Sequence, residues 1–235
     1  MLSFGKKNAK LGKDIATFSL PAGFTCPKAS ECLSKSDRET GKIKDGKHTQ
    51  FRCFSASAEA LYPNVRKSRW NNFEQLKGKT INDMVVLIDS SLPKHKIIRV
   101  HVSGDFFSYD YFVAWMRVAM LNKSKTFYAY TKCISTWLKY EKEKPYGIPE
   151  NFILTASYGG KEDALIQKNN LRSAIVVYSV KEAEEKGLKI DHDDSLARDK
   201  SVKSFALLIH GVQPKGKKQV NKIQGYGPRV PLQVV

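Results

Sequence analysis

After residue 97 short apolar runs alternate with stretches of helical periodicity, and this alternation constrains the fold more than any other feature of the chain. The runs are Ile97–Val102 (IIRVHV), Thr126–Thr131 (TFYAYT), Phe152–Ser157 (FILTAS), Ala174–Ser179 (AIVVYS) and Phe205–His210 (FALLIH). Between the first two, Phe112, Trp115, Met116 and Ala119 recur at i, i+3, i+4 and i+7, one face of an amphipathic helix. Ser108 stands where an N-cap belongs, and Asp110 suits the positive end of the helix dipole. Ser135–Lys144, KEDALIQKNN and VKEAEEKG supply the later helices, the first stopped by Pro145. Repeated βα units predict an α/β fold with a mostly parallel sheet and right-handed crossovers, either open or curved into a partial (β/α) barrel. Thr17–Thr25 reads as an additional strand, and Phe73–Ser90 as one or two helices. Residues 1–213 read as a single domain with a cysteine-bearing N-terminal region. Residues 214–235, rich in Lys, Gly and Pro, read as a surface tail.

In such folds ligands bind at the carboxyl ends of the strands. Polar and small residues gather there: His101–Asp105, Tyr130-Thr131-Lys132, Ser157–Gly160 and His210–Gln213. His101 and Asp105 flank Ser103-Gly104, as a base and its orienter or a pair of metal ligands would; equally, they fix a loop and cap a helix. Tyr130 and Lys132 end one strand, and the lysine suits a phosphate or carboxylate as well as it suits solvent. His210 and Gln213 close the last strand, placed to grip a cofactor or substrate or to finish the core edge. Walker, nucleophile-elbow, zincin and dinucleotide fingerprints are all missing.

The formal net charge is +17, and residues 201–235 contain six basic and no acidic residues. Nucleic acid is the expected anionic partner. Arg52, Arg66 and Arg69 interleave with Phe54, Tyr62 and Trp70, a mixture suited to single strands; on one helix the same pattern is an ordinary amphipathic face. Lys215, Lys217 and Lys218 would add phosphate contacts from the tail. No apolar run is long enough to span a bilayer, so no membrane role is expected. The start, MLSFGKKNAKLGKDIA, has no apolar h-region, which points to a cytoplasm, where thiols stay reduced.

Of the four cysteines, Cys26, Cys32 and Cys53 fall in a C-x5-C-x20-C pattern, and Cys133 lies apart. Three thiolates can hold three irons of a [4Fe–4S] cluster and leave the fourth open. They can instead hold zinc, with His48 or His101 as fourth ligand, or be small buried hydrophobes. Either metal reading requires the three to converge in space with Cys133 outside. The insertion between Cys32 and Cys53 would then be a surface loop, turning at Gly41 and Asp45-Gly46.

The segments LPAGFTCPKASEC, FRCFSASAEALYPNVRKSRWNN, RVHVSGDFFSYDYFVAW, FYAYTK and LLIHGVQPKG, spread over residues 20–216, resemble the phage protein family "gene product 88". The resemblance implies a phage- or prophage-encoded protein in the host cell cytoplasm, and it brings no established activity. The layout also looks like a radical-SAM-type partial barrel with three cysteines after its first strand. That likeness implies a [4Fe–4S] cluster on Cys26, Cys32 and Cys53 and S-adenosylmethionine as cofactor. Ser103, Gly104 and Gln213 would then hold the cofactor, and His101, Asp105, Tyr130, Lys132 and His210 would line a substrate mouth. Such enzymes usually carry C-x3-C-x2-C and a Gly-Gly-Glu element, and the chain departs from both patterns. The expected function is therefore an iron–sulfur enzyme acting on nucleic acid or a nucleotide. The alternative is a basic nucleic-acid-binding or host-interaction protein with zinc or no metal.

Overall fold

A computed structural model describes residues 1–6, 10–211, 213 and 214. Its strands and helices follow in the order Ile15–Ser19 (β1), Ser34–Ser36 (β2), Ile43–Asp45 (β3), Phe54–Leu61 (α1), Pro63–Leu76 (α2), Ile81–Ser91 (α3), Ile97–Ser103 (β4) and Tyr109–Leu121 (α4). Thr126–Thr131 (β5), Ile134–Glu143 (α5), Phe152–Ser157 (β6), Asp163–Lys168 (α6), Ser173–Val177 (β7), Val180–Glu185 (α7), Ser195–Arg198 (α8) and Ser204–Leu208 (β8) complete them. The expected first strand exists but lies earlier, ending at Ser19 rather than running to Thr25.

Six parallel strands form one open sheet in the order β1-β4-β5-β6-β7-β8. Sheet order follows chain order, so every crossover steps the same way. With crossovers of one hand, helices α2 to α6 contribute to the core on one face. Alternate residues of the strands bury that face: Phe18, Ile98, Val100, Phe127, Phe152 and Leu154 pack with Phe112, Trp115 and Met116 of α4. The expected cap is in place, Ser108 Oγ accepting from the Tyr111 amide at 3.2 Å.

The opposite face carries Ile15, Tyr128, Ile153, Ala174 and Phe205, and Leu11 and Ala197 cover it. Ala197 belongs to α8, in a segment that polar groups pin to this face. Arg99 Nη1 lies 2.6 Å from Asp194 Oδ2, and the Tyr128 hydroxyl donates to the same oxygen at 2.9 Å. Arg172 donates to the carbonyls of Leu196 and Asp199 at 2.5 and 2.7 Å, and to that of Val202. Among the described residues no helix is long and apolar enough to cross a membrane.

The stretch between Cys32 and Cys53 is more ordered than a surface loop. Its β2 and β3 pair as an antiparallel hairpin with Ser34 and Ser36 buried, and Gly41 stands at φ +73° beside the turn.

Candidate functional site

Residues 20–33 leave β1 at the carboxyl end of the sheet and are fastened across it. Leu20 N donates to Ser103 O at 2.9 Å, and Asp105 N to Thr25 O at 3.1 Å, so the cysteine loop is stitched to the end of β4. Gly104 lies between these bonds at φ +85°, and a Cβ there would stand 2.5 Å from Thr25 Oγ1 and 2.7 Å from Leu20 Cβ. Only glycine permits so close an approach. Further along, the amides of Ser30 and Glu31 donate to Gly159 O at 3.3 and 3.0 Å, fastening the loop beyond β6. Gly159 itself sits at φ +88°, where a side chain would press on Glu31.

Cys53 reaches this region from the other direction, at the N-cap of α1, its amide donating to Ser34 Oγ at 3.3 Å. Beneath the loop, Glu59 of α1 is fully buried. Its Oε1 accepts from Ala22 N at 2.8 Å, Arg69 Nη1 at 2.8 Å and Ser103 Oγ at 3.3 Å. One carboxylate thus joins the cysteine loop, the end of β4 and α2.

The three half-buried thiols share a neighbourhood. Burial is the main cause raising each of them above the ordinary thiol range, Cys32 to about 11. For Cys26 the charges of Asp105, Cys53 and Cys32 push further the same way. Cys32 is drawn down by Lys132 and pushed up by Cys53 and Asp105. Cys26 Sγ also accepts from Gly23 N at 3.3 Å. Among the described residues, however, no three Cys, His, Asp or Glu side chains close on a point that would hold a metal ion. Of the two histidines expected as a fourth zinc ligand, His48 is exposed and His101 points into the core.

Asp105 is buried, its Oδ1 accepting from Thr131 Oγ1 at 2.7 Å and Phe106 N at 2.8 Å, its Oδ2 from Lys132 N at 2.8 Å. Burial raises its carboxyl against the pull of these bonds. Lys132 is also buried. Its ammonium donates to Ser157 O at 3.1 Å, Ser157 Oγ at 2.9 Å and the carbonyl of Tyr158. Cys133 lies in the core, its thiol directed at Phe106 O at 3.3 Å.

Other expected site residues are placed elsewhere. His101 does not face the mouth with Asp105. At φ +66° it turns into an aromatic nest of Phe18, Phe106 and Tyr111, and its Nε2 meets the Tyr111 hydroxyl at 3.0 Å. With no charge nearby to offset burial, its ring stays neutral, driven down to about 3, and it is not poised as a base near neutral pH. Tyr130 lies on the inner face against Arg99 and Phe205, its buried hydroxyl without a partner. His210 is exposed, with its ring 4.4 Å from that of Phe54. Gln213 bonds the backbone of Arg52 on both sides.

The arginines expected on nucleic acid are committed inside the protein. Arg66 is buried and donates to the carbonyls of Arg38, Glu59 and Glu39. Arg69 is buried on Glu59 and Ser55 O, and Arg52 forms a two-pronged pair with Asp45. Their side chains cannot reach phosphate without leaving buried or paired acceptors. Lys215, Lys217 and Lys218 lie outside the described residues. Glu59, the hub of the loop, escaped the sequence reading; its one signal is being the lone charge in FSASAEAL.

Comparison with known proteins adds a family. The sequence model described as Gene product 88 matches residues 2–224. The chain is 27% identical over 128 residues to the Gene 88 proteins of Mycobacterium phages L5 and D29. Each match covers 49% of this chain and 47% of the relative, so the chain spans about half the length of the curated relatives it matches. No solved structure matches it.

Proposed function

The chain belongs to the Gene product 88 family, and from that premise we propose that it is a phage enzyme carrying an iron–sulfur cluster on Cys26, Cys32 and Cys53 and acting on nucleic acid or a nucleotide. One observation carries the reading: Cys26 and Cys32, on the loop stitched across the carboxyl end of a parallel sheet, both have Cys53 of a separate segment as a charged neighbour. In a cluster each thiolate takes its own iron, so three neighbouring thiols are the ligand set it needs. A cluster held by three thiolates supplies one-electron chemistry and an open iron, where S-adenosylmethionine or a substrate could bind.

The chain's own residues position the ligands. Glu59 and Ser103 hold the loop that carries Cys26, and Gly159 holds the stretch before Cys32. Lys132 pulls the Cys32 thiol downward, favouring the thiolate that would bind iron. Asp105, tied by three hydrogen bonds, fixes the turn after β4 to the end of β5.

Purification without air tests the proposal. A brown protein with the broad visible absorption of iron–sulfide charge transfer, containing iron and acid-labile sulfide, is the expected product. Cys26→Ser, Cys32→Ser and Cys53→Ser should each lose the colour, while Cys133→Ser keeps it. A colourless protein free of iron after anaerobic reconstitution overturns the cluster and leaves a nucleic-acid-binding or host-interaction protein.

A further inference from the structure

Beside the cysteine loop, rings from three separate segments form a continuous row. Phe24, two residues before Cys26, meets Trp70 of α2 at 4.9 Å between centroids. Trp70 meets Phe73 of the same helix at 6.0 Å, and Phe73 meets Phe107, in the turn after β4, at 5.2 Å. Three exposed cations lie over this row: Lys35 Nζ 4.9 Å from the Phe24 ring, the Arg38 guanidinium 4.8 Å from Trp70, and Lys77 Nζ 5.9 Å from Phe73. Phe24 is 40% exposed, and the other three rings are half-buried. Arg38 is partly occupied by Glu74 at 3.0 Å and Glu39 at 3.8 Å.

We propose that the row Phe24–Trp70–Phe73–Phe107 is a stacking platform for single-stranded nucleic acid, with Lys35, Arg38 and Lys77 facing its phosphates. Phe73 and Phe107 also lean on the main core, and Phe24 is the exposed end of the row. A row of part-exposed rings beside exposed cations combines the two components of sequence-tolerant strand binding, π-faces for bases and positive charge for the backbone. The net charge of +17 supplies the long-range attraction. An acidic peptide would satisfy the cations but leave the rings without stacking partners. The proposal rests on the proposed function only for the class of partner, and it needs no cofactor.

The test is fluorescence anisotropy of fluorescein-labelled oligo(dT) with the full-length, metal-free protein at low salt, repeated with the anaerobically reconstituted protein. Phe24→Ala should weaken binding about fivefold or more, because stacking one base is worth about 1–3 kcal/mol. Trp70→Leu should do the same and remove part of the tryptophan quenching on binding, with circular dichroism confirming its fold. Lys35→Ala should lower the slope of log affinity against log salt by about 0.7. Duplex DNA of equal length should bind more weakly. Undetectable binding to oligo(dT), unchanged affinity in folded Phe24→Ala, or equal competition by polyglutamate would each overturn the platform. Loss of binding only in the metal-free protein would also overturn it. Failure of cluster assembly with oligo(dT) binding intact would strike the cofactor reading alone.

Discussion

Gln213 brackets the backbone of Arg52: its Oε1 accepts from Arg52 N at 2.7 Å and its Nε2 donates to Arg52 O at 3.2 Å. The two residues are 161 positions apart, and Arg52 immediately precedes Cys53. The exit of the last strand is thereby tied to the segment that delivers the third cysteine. Gln213→Leu removes both bonds, and each is worth about 0.5–1.5 kcal/mol. Thermal unfolding should show a loss of about 1–3 kcal/mol, and hydrogen exchange at the Arg52 and Cys53 amides should speed up. Unchanged exchange at those amides would mean the tie is idle.

Arg69 and Glu59 form a buried pair in which the carboxylate also holds the cysteine loop. Arg69→Met leaves that carboxylate buried without its counter-charge, a loss of about 3–5 kcal/mol. In a chain of this size the melting temperature should fall by about 6–20 °C. Calorimetry of the variant reads this directly, and a fall under about 2 °C would place little energy in the pair.

His101 titrates near 3 in the folded protein because burial excludes its charged form. In the unfolded chain an ordinary histidine takes up its proton near about 6.5. Between these values the unfolded state binds more protons, so the contribution of His101 to stability is complete above the unfolded value. It is lost as pH falls toward 3, by up to about 1.4 kcal/mol per pH unit. Asp105, shifted upward, acts in the opposite sense above the ordinary carboxyl range, so the useful measurement is a difference. Subtracting the denaturation profile of His101→Asn, whose side chain tolerates the left-handed backbone there, should leave a stability gap that shrinks on acidification. A gap independent of pH would show that His101 is not held neutral.

In the metal-free protein the three thiols should be slow nucleophiles. With Cys32 raised to about 11, its thiolate fraction at neutral pH is about a hundredfold below that of a free cysteine. Iodoacetamide alkylation followed by mass spectrometry should be slow at pH 7 and rise about tenfold per pH unit through the alkaline range. Fast labelling of Cys32 at neutral pH would contradict the buried, mutually repelling arrangement.

Local pattern made much of the fold legible. The runs IIRVHV, TFYAYT and FILTAS became neighbouring parallel strands, and the spacing of Phe112, Trp115, Met116 and Ala119 became the buried face of α4. The α8 segment over the inner face and the hairpin between Cys32 and Cys53 left no such mark. Both are short, and long-range bonds hold them: Asp194 to Arg99, and Ser34 to Cys53.

At the site, consecutive residues were enough to say which of them stand at the carboxyl ends of the strands, because alternation and turn residues are local features. Which of those residues meet was decided only by tertiary structure. Arg66 and Arg69 read as one basic face of a helix. They are buried because carbonyls of the Arg38 segment, 28 residues away from Arg66, and the carboxylate of Glu59 on the preceding helix are packed against them. His101 was turned into the core by its left-handed backbone and the aromatic rings around it. The neighbourhood of Cys26, Cys32 and Cys53 depends on Gly104, Gly159 and Glu59 drawing two loops together. Periodicity records how one segment meets water and core, whereas a pair of side chains also depends on where every intervening segment has packed.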